Sequence, residues 1–200
     1  MVKQRKKVKV HIQSQTFDLF NGSFPPGSEM QQIFDEVMGD RYDDEEDLPP
    51  FPPVSDNEND LLEYSSIGMV SDDGKTVKVS YEEGGLEGLE GCIASIQYNR
   101  ESPWLVTMTR SGTLSTALVF NGRDKRQLCT YETGVLPPFE LVINTRRIVN
   151  TLSLEGGRLE LEYTIEIRGV KSEFTRLIME VTPSKPSALD EHNRLNAGMP

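Results

Sequence analysis

Arg158-Leu-Glu-Leu-Glu-Tyr-Thr-Ile-Glu-Ile-Arg168 alternates polar and apolar residues without a break. Successive side chains of an extended chain point to opposite sides, so Leu159, Leu161, Tyr163, Ile165 and Ile167 share one face. Arg158, Glu160, Glu162, Thr164, Glu166 and Arg168 share the other. The stretch is therefore a strand with one dry face and one wet face, and Glu160, Glu162 and Glu166 are expected to meet solvent rather than to act as paired catalytic carboxylates.

Working outward, further candidate strands follow at Leu61–Val70, Lys75–Glu83, Cys92–Tyr98, Trp104–Arg110, Thr113–Phe120, Arg126–Thr133, Phe139–Thr145, Ile148–Leu154 and Ser172–Thr182. Short links such as Asp72-Asp-Gly74, Ser111-Gly112, Asn121-Gly122 and Gly156-Gly157 carry turn chemistry and force neighbouring strands antiparallel. Lys7–Phe17, with Val8, Val10 and Ile12 set against Lys7, Lys9 and His11, adds a strand and brings the number to eleven. A twisted open sheet of that width closes or folds on itself. The expected fold is all-β: an antiparallel up-and-down meander closed into a β-barrel.

Four segments follow from composition. Residues 1–17 form the first barrel strand with a basic N-terminal arm, and residues 61–182 the rest of the barrel. Residues 183–200 read as a disordered tail. Residues 18–60 form a long insertion, with turn residues at Asn21-Gly-Ser-Phe-Pro-Pro-Gly27 and nine acids against one base between Asp40 and Asp60. Its acidic, Pro-rich makeup predicts that the domain folds without it. Inside it, Ser28 and Gln31 make a capping box, Gly39 a stop, and Met30, Ile33, Phe34, Val37 and Met38 one apolar stripe. A short amphipathic helix is expected over 29–38, either docked on its own barrel or offered to a protein partner through Met30, Ile33, Phe34 and Val37. The run Leu48-Pro-Pro-Phe-Pro-Pro53 is a stiff spacer.

The net charge of −11 would suggest an acidic protein, but the 40–60 segment alone carries −8 of it. With no broad basic face, nucleic acid is not the expected partner, and the Lys3, Arg5, Lys6, Lys7, Lys9 cluster is read as a solvated lead-in. The sequence shows no apolar run long enough for a membrane span and no signal-peptide h-region, so the expected setting is cytoplasmic, without membrane contact. Cys92 and Cys129 sit among apolar neighbours, as buried thiols do in a reducing compartment.

The order and spacing of Met108-Thr-Arg-Ser-Gly112, Phe120, Tyr131-Glu-Thr133, Phe139-Glu-Leu-Val-Ile-Asn-Thr145, Gly156-Gly157 and Leu161-Glu-Tyr163 resemble the YwiB-like family of small bacterial proteins of unknown function. The resemblance covers Lys7–Asp18 and Leu61–Thr182. It implies a calycin-like, lipocalin-like barrel in a soluble intracellular protein without an assigned activity. Thr133-Gly-Val-Leu-Pro-Pro138 and the length of the 18–60 insertion depart from that pattern.

Candidate sites are few. Gly84-Gly-Leu-Glu-Gly-Leu-Glu-Gly91 lacks the lysine and following helix of a phosphate cradle and is a loop. His11 and His192, with the two cysteines, have no spacing that makes a nucleophile pair or a zinc site, so no catalytic residue, metal or cofactor is expected. On Trp104–Arg110, however, Trp104, Val106, Met108 and Arg110 share a face, which places an arginine at a barrel end. Arg110 there is suited to anchor a carboxylate or phosphate, or else to pair with a glutamate across the rim. Tyr131 and Tyr163 match the family pattern and offer polar tips beside it. The first expectation is a non-enzymatic binding barrel taking a small apolar or amphipathic ligand near Arg110, Tyr131, Tyr163 and Trp104. The alternative is a protein-interaction or regulatory module with a filled barrel acting through the 18–60 insertion.

Overall fold

The period-two pattern organises the computed structural model, which describes residues 3–18, 61–83, 91–112, 115–132, 138–167 and 170–184. The strands are β1 (Gln4–Asp18), β2 (Leu61–Asp72), β3 (Thr76–Glu82), β4 (Ile93–Asn99), β5 (Ser102–Ser111), β6 (Ser115–Asn121), β7 (Arg126–Glu132), β8 (Phe139–Asn150), β9 (Gly157–Ile167) and β10 (Val170–Pro183). Each runs antiparallel to its chain neighbour. β1 pairs with β2 on one side and β10 on the other, so the meander closes into a barrel. Closure gives every strand edge a partner.

Inward rows fill the interior. Val8, Val10, Val79, Val106, Leu159, Leu161 and Met179 are buried, and the Phe120 and Tyr163 rings meet with centroids 4.8 Å apart. Gly68 lies in the inward row of β2, where a Cβ would come within 2.6 Å of the Ser80 carbonyl and 3.1 Å of Val10, so only glycine fits this close approach. One end is sealed: the Tyr98 hydroxyl donates to the Leu152 carbonyl, and Arg123 lies 3.3 Å over the Trp104 ring. The opposite end carries the C-termini of β1, β3, β5, β7 and β9, and forms the mouth.

Three expectations change. Phe139–Thr145 and Ile148–Leu154 are not two strands: β8 runs through both, with a register shift between Thr145 and Arg147. The extra residue reverses the inside–outside alternation, so Ile143 and Ile148 both serve the interior, a change of phase that resembles a strand break in sequence. The chain thus has ten strands among its described residues, not eleven. The first strand also begins earlier than expected, at Gln4, so most of the basic arm belongs to the barrel wall. The 29–38 helix and residues 185–200 of the tail lie outside the described residues.

The third change concerns the outer face of β9. Glu160 and Glu166 are half-buried, but Glu162 is only 3% exposed and Thr164 is buried with it. Glu162 is answered by Arg176 of β10 at 3.2 Å and by Arg146 at 3.7 Å. The outward side of this strand is therefore not uniformly wet.

Leu161→Asp is expected to unfold the domain, since it places an unpaired charge in the core at a cost of several kcal/mol. Glu162→Ala, which strips a buried arginine of its carboxylate, should cost about 3 kcal/mol, whereas Glu180→Ala on the exposed face of β10 should cost less than about 0.5 kcal/mol. Urea unfolding of the three variants checks this. Equal losses for Glu162→Ala and Glu180→Ala would contradict the covered face.

Candidate functional site

At the mouth, three inward rows end in polar residues. On β3 the parity that turns Val77, Val79 and Tyr81 inward also turns Glu83 inward, one residue past the strand. Its amide bonds to the Cys92 carbonyl at 2.9 Å, which fixes it at the strand end. On β5 the row Val106, Met108, Arg110 ends in a guanidinium. Tyr81 pairs with Ala94, and Ala94 with Arg110, so only a small side chain separates the two rows. Arg110 reaches across it.

The contact is an ion pair. Arg110 Nε donates to both carboxylate oxygens of Glu83, at 2.8 and 3.1 Å, and the Tyr64 hydroxyl donates to Glu83 Oε1 at 3.3 Å. Glu83 is 0% exposed, while the Arg110 side chain keeps 22% of its surface accessible. Burial opposes the arginine's charge, but the hydrogen bond and attraction of Glu83 outweigh it and raise its pKa above the ordinary guanidinium value.

Burial pushes the Tyr64 phenol up to about 12, with the Glu83 charge adding to the effect. Tyr81 is raised well above the ordinary value by burial, then by the charges of Tyr64 and Glu83. Tyr163 is raised by burial, against the pull of Arg110. All three phenols thus hold their protons across the neutral range and serve as hydrogen-bond donors rather than bases. The Cys129 thiol is likewise pushed up by burial, which suppresses its thiolate.

These residues bound a cavity of about 190 Å³ at the mouth. Ile12, Met108 and Leu177 give it apolar walls, Tyr81, Arg110 and Tyr163 a polar side that also carries the Glu173 carboxylate, and Leu62, 42% exposed, a lip. Two donor sets border it with hydrogen-bonding capacity left over. Arg110 spends only its Nε on Glu83, which leaves the two Nη groups, and the buried Tyr81 hydroxyl leans on the Tyr64 hydroxyl without reaching full hydrogen-bond geometry.

Of the residues singled out in sequence, Arg110 and Tyr163 line this cavity. Tyr131 occupies the same rim row, through Arg110↔Thr116 and Thr116↔Tyr131, but packs on Phe139 at 5.2 Å between centroids. Trp104 lies six residues along β5, roughly 20 Å away at about 3.3 Å per residue, where Arg123 covers it at the sealed end. Glu83, Tyr64 and Tyr81 were missed. The period-two rule would have found Glu83, an acid in phase with Val77 and Val79; Tyr64 gives no comparable signal in the weakly patterned β2. Among the described residues no three His, Cys, Asp or Glu side chains cluster as metal ligands, and no helix is long and apolar enough to cross a membrane.

The family model described as "Domain of unknown function (DUF1934)" matches residues 54–179. Among solved structures, the chain is similar to that titled "Crystal structure of ywiB protein from Bacillus subtilis", with a TM-score of 0.60, 14% identity, and coverage of 90% of this chain and 94% of that one. At that identity the likeness concerns the fold. No curated protein matches the sequence.

A phenol whose pKa is raised on folding contributes stability that is fully present below its unfolded value, near 10, and lost as pH rises through the folded one. The melting temperature should therefore fall from about pH 10 upward, with the Tyr64 contribution lost as the pH approaches about 12. The Tyr64→Phe/Tyr81→Phe double variant should flatten that fall, as followed by thermal melts across the range. A fall as steep as that of the unsubstituted protein would contradict the assignment.

Proposed function

The chain belongs to the family of the domain of unknown function DUF1934, and we propose that it is a non-enzymatic binding barrel whose mouth holds a small amphipathic carboxylate. The observation carrying this reading is that Arg110, whose Nη groups are not spent on Glu83, and Tyr81, whose buried hydroxyl makes only a weak contact with Tyr64, line one cavity. A buried donor without an acceptor costs about 1–3 kcal/mol. A carboxylate accepting from both would remove that cost.

The internal Glu83 sets the character of the site. It neutralises Arg110 from behind, so the guanidinium is held in position and faces the cavity through its terminal nitrogens, with its charge already balanced. With Glu83 behind the arginine and Glu173 in the cavity wall, a densely charged ligand is repelled more than a singly charged one, which favours carboxylate over phosphate. The apolar part of the ligand rests on Ile12, Met108 and Leu177. At about 190 Å³ the cavity is smaller than the ~300–1,000 Å³ of drug-sized sites, so the tail is a few carbons long.

This reading discards Trp104 as a contact and keeps Tyr131 as rim packing. It includes a calycin-like architecture, supported by the closed meander with one open end, and a cytoplasmic setting, supported by two free buried cysteines. The raised phenols and thiol supply no nucleophile or base, which supports binding over catalysis.

Butyrate and hexanoate, titrated against the full chain and followed through the Met108 methyl and tyrosine ring resonances, test the proposal. Both should shift these signals. Arg110→Lys keeps a cation for Glu83 but loses the planar fork, and should weaken binding by about tenfold or more, equivalent to about 1.4 kcal/mol. Unchanged affinity in Arg110→Lys and Tyr81→Phe, or no shifts in the unsubstituted protein, would overturn it.

A further inference from the structure

The barrel's outer surface is divided into a wet half and a dry half. Outward residues on the side from β2 to β7 meet solvent even where they are apolar, as at Ile67, Met69, Ile93 and Leu128. On the four contiguous strands β8, β9, β10 and β1, Val149, Arg158 and Glu180 nearer the sealed end are exposed, while a set of outward residues towards the mouth is buried: Val142, Thr164, Phe174 (0% exposed), Arg176, Ile178 and Gln15. Their registers make one patch, with Phe174 opposite Thr164, and Arg176 between Glu162 and Gln15. A phenylalanine on the outside of a single-layer barrel loses all contact with water only beneath a second layer. The strands themselves cannot supply one.

We infer that this face is an intramolecular docking surface and that its occupant is the 29–38 segment, seated through Met30, Ile33, Phe34, Val37 and Met38. Three observations select it. The 19–60 excursion leaves from Asp18, whose strand borders the patch at Gln15, and returns at Leu61, paired with that same Gln15, so its path starts and ends beside the face. Forty-two residues connect these neighbouring points, ample chain to cross four strands spaced about 4.8 Å apart. The excursion also matches the face in chemistry. Its one apolar stripe suits Phe174, Ile178 and Val142. The tail from residue 185 departs from the opposite end, nine residues down β10 from Phe174, and has no such stripe.

The excursion is then a structural layer of the domain, contrary to the expectation from its composition. Its apolar stripe faces inward and is withheld from other proteins. The dry face also explains why Glu162 and Arg176 are paired on a surface that alternation assigns to water.

A photo-crosslinking phenylalanine analogue placed at Phe34 of the full chain tests the seat directly. Crosslinks mapped by mass spectrometry should join it to peptides containing Val142, Phe174 or Ile178 of the same molecule. Crosslinks to Leu62 or Tyr64 at the mouth, to a second copy, or to none of these would overturn the inference. In parallel, Phe34→Asp should lower the melting temperature by roughly 6–12 °C and raise binding of an apolar dye, while truncation after Ser184 should change it by less than about 2 °C. The reverse pattern would assign the face to the tail.

Discussion

Everything in this molecule depends on β1 pairing with both β2 and β10. Without that double pairing the ten strands would form an open sheet with two exposed edges and two equivalent faces. With it, each strand acquires an inside and an outside, and the period-two pattern of the sequence becomes a packed core with a wall around it. Closure also sorts the connections. Those leaving the ends of β1, β3, β5, β7 and β9 all emerge at the mouth, and the turns at the other end are short and hydrogen-bonded, as at Asp72, Asp73 and Asn121. One end is thereby sealed and the other is left to carry both the cavity and the long excursion.

Two buried carboxylates show how the barrel handles charge. Glu83 lies inside the mouth with Arg110, and Glu162 lies on the outer wall with Arg176. In both cases a glutamate with almost no solvent contact is held by the Nε of an arginine on a nearby strand. Desolvating such pairs costs as much as their attraction returns, so they add little to net stability. Their effect is positional: breaking either leaves a buried charge without its counterpart. The inner pair holds Arg110 in the lining of the cavity, and the outer pair lies on a part of the wall that is buried.

Strand identity, barrel closure and the Arg110 row were legible because alternation is a direct consequence of extended geometry, and Arg158–Arg168 displays it without error. The bulge at Arg146 was not, because one inserted residue looks the same in sequence as a strand ending and another beginning. Alternation also says which residues share a face without saying whether that face meets water. Hence Glu162 was assigned to solvent, although it is 3% exposed and paired with Arg176, and no local pattern records that. At the site, Arg110 stood out as a charge in an apolar row. Glu83, equally a charge in phase with valines, was masked by Glu82 beside it, which makes the strand end look like the start of a polar loop.

The account rests most heavily on Glu83 and Arg110 acting as one buried unit that shapes the mouth. A double-mutant cycle with Glu83→Leu and Arg110→Met, read as unfolding free energy in urea, measures that coupling. The account predicts that each single change costs about 2–4 kcal/mol and that the pair together costs less than either alone, since two apolar side chains leave no buried charge behind. Additive losses, with a coupling within about 0.5 kcal/mol of zero, would mean that the two residues do not depend on each other and would contradict it.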